Sequence, residues 1–130
     1  MSLPPELVDV LRSRATCFLT TLMPDGSPQI SQTWVDTDGE HILINTVETH
    51  QKTRNIGRDQ RVAVGISDPA QPSRSWAARG SVVSATPDAG EHINALSQKY
   101  LGRPYPGFGG SDQKRVLLTI KVDRLHSPGR

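Results

Sequence analysis

Cysteine occurs once in these 130 residues, at Cys17. That rules out an intramolecular disulfide and any Cys-x-x-Cys metal or redox pair. Within the apolar run Cys17-Phe18-Leu19 the thiol reads as a small buried hydrophobe. Aromatics are scarce too: Phe18, Trp34, Trp76, Tyr100, Tyr105 and Phe108 are the whole set. With a net charge of +2, the chain has neither the basic excess nor the interleaved rings of a general nucleic-acid binder. No apolar run approaches the roughly 18 residues of a membrane-spanning helix. The opening Met-Ser-Leu-Pro-Pro-Glu has no basic stretch followed by an apolar one, so a cytoplasmic location is expected, with neither nucleic acid nor membrane as partner.

Catalytic constellations are equally thin. His41, His50, His92 and His126 have no Gly-x-Ser-x-Gly companion and no His-x-x-x-His spacing, which argues against nucleophilic and metal catalysis. Gly107-Phe108-Gly109-Gly110 has no third glycine in register and no parallel βαβ unit around it, so it reads as a loop with the makings of a lid rather than a dinucleotide site.

The length suits one domain, residues 1–130. Hydrophobic residues make up 35%, little for such a domain. Small residues must therefore fill much of the core, or a partner subunit must cover part of the apolar surface.

Turn residues divide the chain into about six strands and three helices. Pro4-Pro5-Glu6 opens a short amphipathic helix. Phe18–Leu22 and Gln29–Val35 are strand candidates around Met23–Pro28, and Asp36-Thr37-Asp38-Gly39 predicts a hairpin into His41–Val47. Val62–Ser67 leads through a Pro-broken loop over 68–72 into a strand over Ser75–Ala85. Thr86-Pro87 predicts a helix start, with Ile93, Leu96 and Tyr100 on its apolar face and Gly102 to end it. A Gly/Pro-rich loop precedes the last strand, Lys114–Leu125. Strands joined by tight turns predict a mainly β (α+β) fold, an antiparallel sheet of six strands curled into a small barrel.

The stretch Thr49–Arg61 carries Lys52, Arg54, Arg58 and Arg61 against one acid, Asp59. A Thr-capped helical turn there would aim free N–H groups and the positive dipole end at an anion, with the basic side chains completing the cradle. A solvated connector between two strands is the alternative reading. Ser31, Thr33, Asn45 and Thr46 offer hydroxyls and amides on neighbouring strands. They suit the edge of a planar heterocycle or, equally, the outward face of a sheet. Trp34 and Trp76 could cover a ring face, or pack in the core or a dimer interface.

The run Phe18-Leu-Thr-Thr-Leu-Met-Pro-Asp-Gly-Ser-Pro-Gln29, then Trp34-Val35-Asp36, Lys52-Thr-Arg-Asn-Ile56 and Arg58-Asp59-x-Arg61-Val62, resembles the flavin/deazaflavin oxidoreductases of the split β-barrel fold, relatives of pyridoxamine 5′-phosphate oxidase. His92-Ile93-x-x-Leu96, Lys99-Tyr-Leu-Gly-Arg-Pro104 and Tyr105-Pro106-Gly107 are similar to the actinobacterial branch that uses coenzyme F420.

The resemblance implies a homodimer with cofactor sites shared between subunits. It assigns Lys52 to the cofactor phosphate, with Gln51, Thr53, Asn55 and, more marginally, Arg54. Ser31, Gln32 and Thr33, with Ile44, Asn45 and Thr46, fall to the ring system. A residue near Trp76 or Arg79 is expected from the other subunit. The family's pyridoxal-phosphate-binding residues have no counterparts here. F420 carries a phosphate and a glutamate tail, and a groove from Lys52 through Arg54 and Arg58 suits that polyanion better than FMN. The expected activity is hydride transfer to a small-molecule acceptor with no catalytic side chain. The alternatives are an FMN-dependent flavoprotein of the same fold and a non-catalytic flavin, F420 or haem carrier.

Overall fold

The computed structural model describes residues 2–107 and 113–127. Among them run α1 (Pro5–Arg12), β1 (Thr16–Leu22), β2 (Pro28–Thr33), β3 (Asp36–Thr37), β4 (Ile42–Val47), α2 (Gln51–Arg58), β5 (Arg61–Asp68), β6 (Gln71–Thr86), α3 (Gly90–Leu101) and β7 (Arg115–His126). All strand pairs are antiparallel, in the order β2-β1-β5-β6-β7-β4-β3.

That order dictates a curled sheet. β2 and β3 are its two edges, yet only Trp34 and Val35 separate them in the chain. Two linking residues reach about 11 Å at most. Laid flat, seven strands would hold their edges roughly 29 Å apart. The sheet therefore rolls round until its edges nearly meet, forming a split barrel with a seam at Trp34-Val35.

The interior follows the pleat. On β1, Cys17, Leu19 and Thr21 are buried while Phe18 points outward. Ile42 and Ile44 of β4 meet Leu118 and Ile120 of β7 inside the barrel, and Leu7 and Leu11 of α1 plug one end. Each such side chain contributes about 1.5–3 kcal/mol on burial. Between Arg79 and Gly80 the β6–β7 register slips, and a Cβ on Gly80 would stand 1.9 Å from the Lys121 carbonyl oxygen. Only glycine lets the strands approach so closely there.

Several sequence expectations change. The described residues form seven strands rather than six, because the two residues Asp36 and Thr37 pair with Leu43 and Ile42. The expected hairpin of Gln29–Val35 with His41–Val47 does not form: β2 pairs with β1 instead, and only the short β3 meets β4. The 68–72 segment is a tight hairpin turn, since β6 already begins at Gln71. β6 also runs on through Thr86, which pairs with Leu117, and Asp88 turns the chain with φ 58. The helix therefore starts at Gly90, and Thr86-Pro87 does not open it. Gly102 does end it, at φ 72. The glycine loop at 107–110, and any lid function, falls largely outside the described residues.

Candidate functional site

A cleft of about 550 Å³ opens along the seam, walled by β2, the Trp34 link, β4, α2 and α3. Its lining includes three cations, Arg14, Lys52 and Arg115, and no carboxylate among the described residues. Trp34, Tyr100 and Tyr105 form an aromatic wall, and Gln32, Thr33 and Asn45 supply polar groups.

Asn45 organises one end. Its Nδ2 donates to the Ala89 carbonyl at 2.9 Å and to Nδ1 of His92 at 3.1 Å, while its Oδ1 accepts from Arg115 Nε at 2.8 Å. Because His92 Nδ1 accepts, the neutral ring carries its proton on Nε2, which is buried without a partner among the described residues. Burial pushes the His92 pKa down, with Asp36 opposing and Lys99 and Arg115 assisting. Arg115 lies 5.2 Å from the Tyr105 ring centroid and Nη1 donates to Gln113 Oε1 at 3.3 Å. Lys52, half-buried in the first turn of α2, has its pKa lowered by burial and then by the nearby Arg115 charge. Two cations facing one cleft with no counter-charge among the described residues give this end of it a positive potential.

The helix carrying Lys52 is held by its buried side. Asn55, with no exposure, donates to Thr21 Oγ1 at 3.0 Å and accepts from Gln51 Nε2 at 2.8 Å. Thr53 Oγ1 donates to the Val47 carbonyl at 2.6 Å and lies 3.1 Å from Thr46 Oγ1, clamping α2 to β4. The N-cap is His50 rather than Thr49, and no side chain bonds the first turn. The N–H groups of Gln51 and Lys52 therefore have no intrahelical partner.

Four of the residues expected at the site line the cleft together: Gln32, Thr33, Asn45 and Lys52. Ser31 shares the Thr33 side of β2, and the hydroxyls of both are buried without partners among the described residues. Ile44 is wholly inside the barrel. Thr46, Thr53, Gln51 and Asn55 spend their side chains fastening α2, and Arg54 is exposed with Nη2 on Gln51 Oε1.

Trp76, 5% exposed, belongs to the core, whereas Arg79 is exposed on β6 beside Arg61, Asp123 and Arg124, away from the cleft. Arg58, expected to extend the groove, has its guanidinium engaged locally. Arg58 donates to the Leu22 carbonyl and Asn55, and Arg61 pairs with Asp59.

Sequence reasoning missed Arg14, Arg115 and Tyr105 as cleft residues, and His92 behind Asn45. Arg115 reaches the cleft only because β7 pairs with β4 in a register that sets it opposite Val47. The last turn of α3 holds the seam: Lys99 Nζ donates to the Leu11 carbonyl at 2.8 Å and to the Val35 carbonyl. Tyr100 hydroxyl donates to the Ala15 carbonyl at 2.7 Å and accepts from Val35 N–H at 3.3 Å.

Known proteins share this architecture. A solved structure described as an F420 reductase is 28% identical, with a TM-score of 0.84 over 96% of this chain and 99% of that one. A conserved hypothetical protein from Mycobacterium tuberculosis is 25% identical, with a TM-score of 0.72 over 96% and 83%. General stress protein 26 from Bacillus anthracis shares the fold at 18% identity, with a TM-score of 0.69 over 93% and 89%. The family model for pyridoxamine 5′-phosphate oxidase matches residues 3–127. The chain thus belongs to the pyridoxamine 5′-phosphate oxidase family of split-barrel, flavin-type oxidoreductases.

Proposed function

We propose that this chain is an F420-dependent reductase acting on a small organic acceptor. The observation that carries the reading is the cleft shared by Lys52 and Arg115 with Gln32, Thr33 and Asn45, in which no carboxylate appears among the described lining residues. These donors fit the cofactor: two cations and the free N–H groups of α2 for a phosphate, and Gln32, Thr33 and Asn45 for the polar edge of a ring. The similarity to an F420 reductase along nearly the full length of both chains favours F420 over FMN.

When bound, the reduced deazaflavin supplies a hydride. The protein's own part is positional. Lys52 and Arg115 bind the phosphate, with Asn45 orienting the guanidinium. Arg54, exposed on the same helix, offers a cation toward a polyanionic tail. Trp34 and the tyrosines keep water from one side of the cleft. None of these side chains is required as a base, and solvent supplies any proton the acceptor takes.

The working unit in this reading is a homodimer. Ile30, Val83 and Phe18 are 65%, 54% and 41% exposed, apolar surface that a second subunit would cover. Arg79, exposed on β6, is the group a partner would offer, while Trp76 is committed to its own core.

Oxidation of reduced F420 in the presence of enones, quinones, nitro compounds and tetrapyrroles tests the activity. Turnover with at least one acceptor is expected. Tight binding of F420 without turnover on any would make the protein a carrier instead.

A further inference from the structure

The cations of the cleft lie at the two ends of one aromatic wall. Arg115 rests on Tyr105 at 5.2 Å, and Tyr105 meets the edge of Trp34 at 6.3 Å. Trp34 stacks on Tyr100 at 5.3 Å and an interplanar angle of 9°. Tyr100 in turn bonds the carbonyl of Ala15, next to Arg14. Arg14 donates through Nε to the Lys99 carbonyl at 2.9 Å. That bond caps a free carbonyl in the last turn of α3 and fixes the plane of the guanidinium. Among the described residues its terminal nitrogens have no partner and no carboxylate lines the cleft.

We propose that Arg14 recognises an anionic substituent on the acceptor, making planar molecules that bear a carboxylate the preferred substrate class. The ligand would lie along Trp34 with its anion on the two free guanidinium nitrogens, at the end of the wall remote from Arg115. Arginine suits this task because its planar fork engages both carboxylate oxygens. The designation of this ligand as acceptor rests on the cofactor reading above; the anion site itself does not.

Calorimetric titration of the cofactor-free full chain with 2-naphthoate and with 2-naphthamide separates charge from shape. The wild type should prefer the carboxylate, and Arg14→Gln should cut that preference roughly fivefold, with Arg14→Lys retaining part of it. Thermal unfolding of each variant checks that α3 stays seated. An undiminished preference in Arg14→Gln overturns the proposal. Repeating the titration with F420 bound, monitored by its own fluorescence, locates the site. Retained naphthoate binding supports an acceptor pocket, and competition between the two assigns Arg14 to the cofactor tail and overturns it. Failure of F420 to bind would sink the cofactor reading alone, because the naphthoate arm is read without it.

Discussion

Arg115 and Asn45 stand diagonally across the β4–β7 pair, and Arg115 Nε donates to Asn45 Oδ1 at 2.8 Å. The same amide reaches back to α3 through Ala89 and His92. One buried side chain thus ties the orientation of a cleft cation to the seating of a helix. Asn45→Ala removes all three bonds. Stability should fall by about 1–3 kcal/mol, and anion affinity should fall with it because Arg115 loses its support. Urea unfolding and a phosphate titration on the same preparation measure both. A variant with full affinity would show that Arg115 needs no such support.

Lys52 and Asn55 share a helix but should separate cleanly on mutation. Asn55→Ala strips the buried amide that ties α2 to Thr21 and Gln51, and should cost about 2–3 kcal/mol of stability. Lys52→Ala relieves a half-buried cation set beside Arg115. It should leave stability within about 1 kcal/mol and lower anion affinity about tenfold. Reversed behaviour of the pair would mean that the cradle lies elsewhere.

Burial makes His92 hold its proton less tightly in the folded chain than its ordinary value of 6.5. As pH falls below 6.5 the unfolded chain takes up that proton first. His92 therefore contributes stability above this range that is lost on acidification through the lowered folded-state value. His92→Leu should flatten the pH dependence of unfolding in that window. Chemical denaturation at neutral and mildly acidic pH shows it, and an unchanged slope would exclude the buried neutral ring.

Gly80 tests the barrel rather than the cleft. A methyl group there would sit 1.9 Å from the Lys121 carbonyl oxygen, so β6 or β7 must shift. Gly80→Ala should cost about 2–4 kcal/mol, read as a lowered unfolding midpoint. A neutral effect would mean that the bulge relaxes freely.

The sequence made some of this readable and hid the rest for physical reasons. Gly102 and Pro5 mark helix ends through their own backbone preferences, so both were legible. The strands with alternating patterns were legible too, and Lys52, Gln32, Thr33 and Asn45 could be singled out. Asp36-Thr37 escaped because a two-residue strand has no period to detect. Thr86-Pro87 misled because pairing with β7 overrides a local helix-start signal. Arg14 and Arg115 lie 101 positions apart and meet one cleft only through the rolled sheet. No linear motif joins them, and the arginines that do cluster in sequence, Arg58 and Arg61, turned out to be tied to Leu22 and Asp59.

In the proposed reading this cleft holds F420 by its phosphate. Fluorescence titration of the purified chain with F420, beside a parallel titration with FMN, addresses it directly. Saturable binding is expected, tighter for F420 than for FMN, and weakened about tenfold by Lys52→Ala. Tighter binding of FMN, or F420 binding that Lys52→Ala leaves untouched, would contradict it.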